Sequence, residues 1–187
     1  SMVYSPCKLI DMNGDFLNGV AHDDLDTTAL DSFRGTMKVV DQLKWCTAIH
    51  GVFKKDVIKG YQLKQVAGCD HIMLLHASVC GKIYELKDFL YLVREVRKET
   101  KEETIKRYNQ YGLKSESQEN AYNKLCKEYL SYIRKSRKLK FRYKIRLLRE
   151  ISAFLKTRYN SPYLHSFIRM MRFYGKVKGK ITGKRIV

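Results

Sequence analysis

The hydrophobic and polar positions of the chain follow two patterns, and the change falls near residue 98. Before it, short apolar runs bounded by turn residues alternate with one segment of helical period. The pattern predicts a strand at 3–10, which Pro6 kinks or places at an edge, followed by a turn at 11–15 and an acidic loop at 22–28. It next predicts a helix at 30–45, capped by Asp31 or Ser32. A strand at 48–53 and a helical turn at 54–60 follow. This alternation is typical of a sheet with flanking helices.

Residues 68–94 are the most informative part of the first region. An apolar helix is predicted to end at Gly81-Lys82, with strands following at 82–86 and 89–93. Asp70 and His71 fall in its first turn, where free backbone N–H groups and the positive end of the helix dipole favour an anionic side chain. An acid at the start of a buried helix marks a candidate site.

Beyond residue 98 the pattern predicts only helices, at 99–111, 118–136 and 139–159, with a short last helix from Pro162 to Met171. We therefore expect an α/β fold, or α+β for the fragment alone. Its three regions are a sheet-and-helix region at 1–98, a basic helical extension at 99–174 and a flexible basic tail at 175–187.

The net charge of +18 is carried almost entirely by the second region. Residues 1–98 hold 13 Lys and Arg against 12 Asp and Glu, whereas residues 99–187 hold 24 against 7. This imbalance indicates an anionic partner surface, which nucleic acid, phospholipid head groups or an acidic polymer would each supply.

The lack of a recognisable targeting signal and the spacing of the cysteines suggest a cytoplasmic protein. No apolar run approaches the roughly 20 residues that cross a bilayer, and the N-terminus lacks a signal-peptide pattern. The five cysteines lie far apart, without the spacing of a zinc site, and we interpret them as reduced thiols.

Several short motifs occur in a characteristic order: Tyr4-Ser-Pro-Cys-Lys-Leu-Ile-Asp-Met-Asn-Gly14, Gly51-Val-Phe-Lys-Lys55, Asp70 at the start of a helix, Gly81-Lys82 at its end, and Leu90-Tyr-Leu-Val-Arg94. In this succession, over residues 3–113, the chain resembles the C-terminal half of the catalytic domain of bacterial family 2 glycosyltransferases. The resemblance implies a partial GT-A-like mixed sheet.

The resemblance also implies roles for three residues. Asp70 would be the general base that takes the proton from the acceptor hydroxyl during an inverting transfer, and His71 and Arg94 would bind the acceptor, a glycan or a lipid-linked sugar. The alternative interpretation of Asp70 is a helix cap, which is the commonest role of Asp at a helix start.

In the complete enzymes that the chain resembles, a preceding half binds the nucleotide-sugar and a divalent metal, Mg or Mn, held by an Asp-x-Asp motif. This half is absent from the chain, so we expect neither cofactor to bind it tightly and little activity from the chain alone. Asp24-Leu25-Asp26 spells Asp-x-Asp but comes after the expected place. We interpret these acids as loop and capping residues, with a metal-ligand pair as the alternative.

A missing half-sheet would expose an edge strand, which predicts a homo-oligomer or a covering partner.

The extension contains a strongly basic segment whose cations are anion-binding candidates: Arg134, Lys135, Arg137, Lys138, Lys140, Arg142, Lys144 and Arg146. One interpretation is a helical surface lying on the anionic inner face of the membrane. The second is nucleic-acid binding, which no known motif in the sequence supports. The third is a solvated basic face. A non-enzymatic module that binds anionic membrane or nucleic acid is therefore the alternative to the glycosyltransferase.

Overall fold

The computed structural model describes residues 1–59, 61–63, 66–94, 100–110 and 118–159. Within them the chain is a mixed α/β protein, as predicted, and it divides into two compact units, Ser1–Glu116 and Ser117–Val187. The strands are β1 (Met2–Tyr4), β2 (Cys7–Ile10), β3 (Phe16–Ala21), β4 (Val52–Phe53), β5 (Ile83–Glu85) and β6 (Tyr91–Arg94). The helices are α1 (Ser32–Gln42), α2 (Lys55–Ile58), α3 (Cys69–Cys80), α4 (Lys101–Gln110), α5 (Gln118–Lys135) and α6 (Phe141–Tyr159).

Pro6 divides the predicted first strand into two strands that belong to different sheets. β1 pairs in parallel with β5 and antiparallel with β4, and β2 pairs in parallel with β6 and antiparallel with β3. Proline has no N–H to donate to a ladder, so pairing stops there and resumes in a new sheet. Residues 2–10 and 83–94 therefore run side by side as two strand pairs, interrupted in the middle.

The turn predicted at residues 11–15 is confirmed as the loop of a β2–β3 hairpin. Oδ1 of Asp11 accepts hydrogen bonds from the N–H groups of Asn13, Gly14 and Asp15, at 2.8 to 2.9 Å. The bond from Asp15 contributes most to holding the pKa of Asp11 below its usual range. Gly14 takes φ +98°, a conformation that glycine adopts without strain.

The observed strands differ from the expected ones at two places. β3 was not predicted, because it contains Asn18 and Gly19 and most of its residues are exposed, so it has little hydrophobic pattern. Conversely, much of the strand expected at residues 48–53 is a 3₁₀ turn, Thr47–His50, and only Val52–Phe53 pairs. Periodicity does not distinguish a short apolar strand from a helical turn.

The core of the first unit forms where α1 packs against α3. Oδ1 of Asp31 accepts from the N–H of Arg34 at 2.8 Å, so Asp31, one of the two predicted candidates, is the cap. α1 ends at Gln42, earlier than expected, because Leu43 has an extended backbone. The main core cluster contains Met2, Tyr4, Leu25, Val39, Leu43, Ala48, Val57, Leu74, Ala77 and Ile83.

Large apolar side chains remain exposed on or next to the outer strands of both three-stranded sheets. Val52 is 78% exposed, Leu90 70% and Phe16 67%. Such exposure supports the expectation that another surface covers these edges, which stays a prediction.

The second unit contains a helical pair close to the one predicted, in which α5 packs against α6. The buried residues are Leu125, Cys126, Tyr129, Leu130, Ile133, Leu147, Ile151, Ser152 and Leu155. None of the helices in the described residues combines the length and apolar composition needed to cross a bilayer. The predicted last helix and basic tail lie outside the described residues. So do residues 95–99, and the boundary at residue 98 stays a prediction.

Candidate functional site

The first turn of α3 presents Asp70 and His71 at the end of a largely buried helix. The cap position is Gly68, with φ +77°, and it has no side chain to accept a hydrogen bond. Asp70 lies inside the helix, partly buried, and its Oδ1 accepts from the N–H of His71 at 3.0 Å. The capping position itself therefore belongs to another residue.

Cys46 lies beside these two residues, although it is 24 positions earlier in the chain. Its Sγ, a carboxylate oxygen of Asp70 and a ring nitrogen of His71 all lie within 4.8 Å of one another. The cluster joins a thiol, a carboxylate and an imidazole, the three side-chain types that bind borderline-soft cations. We call these residues the α3 cluster.

A buried aspartate fixes the turn that carries Cys46. Asp23 is only 2% exposed, and its Oδ1 accepts from the N–H groups of Lys44 and Trp45, both at 2.7 Å. Cys46 itself has φ +57°, in the left-handed region that non-glycine residues rarely adopt. The thiol is therefore presented by a constrained backbone.

Sequence reasoning missed both Cys46 and Asp23. No local spacing reveals Cys46, because its partners lie on another element. Asp23 was interpreted as part of a solvated acidic loop. The one sequence feature that could indicate a separate role is the number of acids in this loop, since a single helix cap needs only one of them.

The Asp-x-Asp pair is held by protein donors. Asp24 is exposed and pairs with Nζ of Lys38 at 2.8 Å. Both oxygens of Asp26 accept hydrogen bonds, Oδ1 from Thr28 and Oδ2 from the N–H of Glu85 at 3.1 Å. Burial raises the pKa of Asp26, but these hydrogen bonds outweigh burial and the pKa falls below its usual range. Protein donors thus bind at least one oxygen of each carboxylate, which supports the interpretation of these acids as loop and capping residues; a metal-ligand pair stays a prediction.

A chain of hydrogen bonds links this loop to the sheet. The hydroxyl of Tyr4 accepts from the N–H of Leu25 at 2.7 Å and donates to Oε2 of Glu85. Oε1 of Glu85 is 2.6 Å from Nε2 of His22. Burial and the bond to Glu85 raise the pKa of Tyr4. Ligand-type atoms of His22, Asp24 and Glu85 also lie within 4.8 Å of one another, but Glu85 uses both oxygens within the protein.

The Tyr-Ser-Pro motif thus has a structural role. Oγ of Ser5 lies 2.7 Å from the carbonyl oxygen of Asp88 and 2.8 Å from the N of Leu90. It attaches the break between β1 and β2 to the break between β5 and β6.

The structure joins Arg94 to the β2–β3 hairpin. Arg94 is the last residue of β6, and its Nη1 donates a hydrogen bond to the carbonyl oxygen of Met12 at 2.7 Å. Of the three residues assigned to the acceptor site by the resemblance, Asp70 and His71 are therefore brought together, and Arg94 is engaged in the other sheet.

The basic segment, residues 134–146, spans the end of α5, the connecting loop and the start of α6. It has eight cations and no acid. Among them stand exposed apolar side chains: Phe141 is 69% exposed, Tyr143 42% and Ile145 40%. Nζ of Lys144 donates to the carbonyl oxygen of Arg134 at 3.1 Å, which supplies a cation to the C-terminal end of α5.

The described part of the chain offers two candidate sites of different chemistry, the α3 cluster and the basic segment. The first offers a carboxylate and an imidazole for proton transfer or ligation, and the second offers cations and apolar side chains for a surface. Comparison with models of protein families, with curated proteins and with solved structures found no match to this chain.

Proposed function

We propose that the first unit is the acceptor side of an inverting glycosyltransferase, with Asp70 as its general base. The observation that carries the proposal is the position of Asp70: its carboxylate lies in the first turn of α3 while Gly68 occupies the capping position. The order of motifs along the sheet, which resembles family 2 glycosyltransferases, supplies the reaction class.

The proposed chemistry uses Asp70 to remove one proton. As the acceptor hydroxyl attacks the anomeric carbon of the donor sugar, an oxygen of Asp70 takes the hydroxyl proton and the nucleotide leaves from the opposite face. His71, next to Asp70 in the same turn, orients the acceptor. A divalent metal and the nucleotide-sugar would be held by the preceding half, so the residues of this chain are assigned only the proton transfer and the orientation of the acceptor.

The decisive test replaces Asp70 in a protein where a donor-binding half precedes this chain. Asp70→Asn keeps the shape of the side chain and removes its basicity, so we expect sugar transfer to fall by about 10²- to 10⁴-fold. Asp56→Asn is the matched control, since Asp56 is also an acid in the first turn of a helix, and it should leave the rate unchanged.

Two results would contradict the proposal. One is an Asp70→Asn protein that transfers sugar at the original rate. The other is a protein with both halves that transfers sugar from none of a panel of nucleotide-sugars.

The basic segment favours a second candidate function, attachment to an anionic membrane surface. Its eight cations surround three exposed apolar side chains, and interfacial helices combine these two features. Each Lys or Arg close to an anionic leaflet contributes about 1 kcal/mol of binding free energy, so a few engaged cations suffice. Attachment would also place the first unit where lipid-linked acceptors are presented.

A further inference from the structure

We propose that Cys46, Asp70 and His71 form a binding site for a divalent cation of the zinc class. Their Sγ, carboxylate and ring nitrogen atoms lie within 4.8 Å of one another. They come from two separate segments, the turn after α1 and the first turn of α3, so the fold itself assembles the group.

The chemistry of the three ligands selects the cation. Zinc accepts thiolate, imidazole and carboxylate ligands at about 2.0 to 2.3 Å, and three protein ligands leave a fourth position open. In a tetrahedral site such bonds place ligand atoms about 3.3 to 3.8 Å apart. Atoms that already lie within 4.8 Å of one another reach this spacing by small rotations of their side chains. Magnesium and calcium prefer oxygen ligands, so the thiol disfavours them.

Both ligand segments are fixed by the surrounding structure. The hydrogen bonds from Lys44 and Trp45 to Asp23 hold the turn before Cys46, and the 3₁₀ turn that follows Cys46 packs against α3. Asp70 and His71 are neighbours within one helical turn. A preorganised ligand set loses less conformational entropy when the ion binds.

The charge of the site is also compatible with a cation. The positive end of α3 disfavours a cation by itself. A thiolate and a carboxylate bring two negative charges, however, which match the charge of the ion.

Metal binding and base catalysis would use the same carboxylate. A cation bound to Asp70 occupies the electron pair that would accept a proton, so the metal-bound protein is expected to be inactive in transfer. Metal binding is measured directly, without substrate, and its failure would leave the catalytic role of Asp70 untouched.

Cobalt is a suitable probe because a cobalt–thiolate bond has its own absorption band. The test is to titrate the full chain with Co²⁺ under reducing conditions and then to displace the bound Co²⁺ with Zn²⁺. We expect one equivalent of Co²⁺ with a thiolate band that Zn²⁺ removes. Cys46→Ser should abolish the band, and His71→Ala should weaken binding at least 10-fold.

Two matched controls test the assignment. Cys69→Ser changes another thiol at the same end of α3, and His22→Gln changes an imidazole in the other group of neighbouring ligand-type residues. Both should bind Co²⁺ as the unmodified chain does. A band that persists in Cys46→Ser, or one that disappears in Cys69→Ser, would overturn the proposal, and so would the absence of a thiolate band in the unmodified chain.

A second measurement needs no variant and therefore does not depend on a variant's folding. Iodoacetamide alkylates accessible thiols, and mass spectrometry resolves the five cysteines. Zinc at one equivalent should slow alkylation of Cys46 at least 10-fold. Equal rates at Cys46 with and without zinc would contradict the site.

Discussion

At the scale of single residues, three acids within four positions do three different things. Asp23 is buried and holds a distant turn, Asp24 is exposed and pairs with Lys38, and Asp26 binds a neighbouring threonine and the backbone of Glu85. The sequence predicted an acidic loop, which the structure confirms. It did not predict these separate roles, because several of the groups that bind the carboxylates lie 14 to 59 positions away.

Asp26→Asn tests the role of the third acid through its pH dependence. The pKa of Asp26 is lowered in the folded protein, so its contribution to stability is present above the unfolded pKa of about 4 and is lost as pH falls through the lower folded pKa. At pH 7 we expect the substitution to reduce the free energy of unfolding by about 1 to 2 kcal/mol. The deficit should shrink towards pH 3, as measured by urea unfolding.

Asp24→Asn is the control for this prediction. Asp24 makes an exposed ion pair, and Asn tolerates the left-handed backbone of φ +40°, so the loss should stay below about 0.5 kcal/mol. A deficit in Asp26→Asn that is the same at pH 7 and pH 3 would show that its ionised form is not what stabilises the fold.

At the scale of elements, the short strand β4 pairs with β1 because a glycine, Gly51, lets the two backbones approach closely. An ideal Cβ at Gly51 would lie 2.5 Å from the carbonyl oxygen of Val3 and 2.9 Å from Cβ of Tyr4. The absent side chain allows β4 to lie against β1. Long helices such as α5 and α6 were predictable because their apolar positions repeat over several turns. β3 was not, since most of its side chains are exposed.

Gly51→Ala should therefore disrupt the pairing of β4 with β1. Because the blocking atom is backbone and cannot rotate away, we expect the free energy of unfolding to fall by about 1 to 3 kcal/mol in a urea titration. Gly19→Ala is the matched control, since the nearest atom to its added Cβ is the end of the flexible Leu9 side chain, at 3.1 Å. Equal losses in the two variants would show that the contact between β1 and β4 is not specifically tight.

At the scale of the whole molecule, charge and candidate chemistry are separated along the chain. The α3 cluster belongs to the first 98 residues, which are nearly neutral, and the basic segment belongs to residues 99–187, which carry almost all of the net positive charge. This charge division was readable from the sequence. The assembly of Cys46 with Asp70 and His71 was not, because it depends on how a turn and a helix pack.

Anionic vesicles test the membrane interpretation of the second half. We expect the full chain to bind phosphatidylserine-containing vesicles and not neutral ones, with an affinity that falls as salt rises. Arg137→Gln with Lys138→Gln removes two cations, so affinity should fall about 30-fold at about 1 kcal/mol each. Phe141→Ser should weaken binding further.

The control for this experiment removes two cations elsewhere. Lys101→Gln with Lys106→Gln makes the same change of net charge on α4 and should alter the affinity less than 3-fold. Equal effects of the two pairs would assign the binding to overall charge. Tighter binding to single-stranded oligonucleotides than to vesicles would favour the nucleic-acid interpretation.

The interrupted parallel pairing of residues 2–10 with residues 83–94 has a consequence for how the chain is made. β1 and β2 leave the ribosome well before their parallel partners, which are synthesised about 80 residues later. The sheet that contains β1 cannot be completed until residue 85 has left the exit tunnel, and the sheet that contains β2 not until residue 94 has left it. Contacts so distant in sequence form slowly. The nascent chain therefore carries unpaired strand edges while about 80 further residues are synthesised, a period in which a chaperone would protect them.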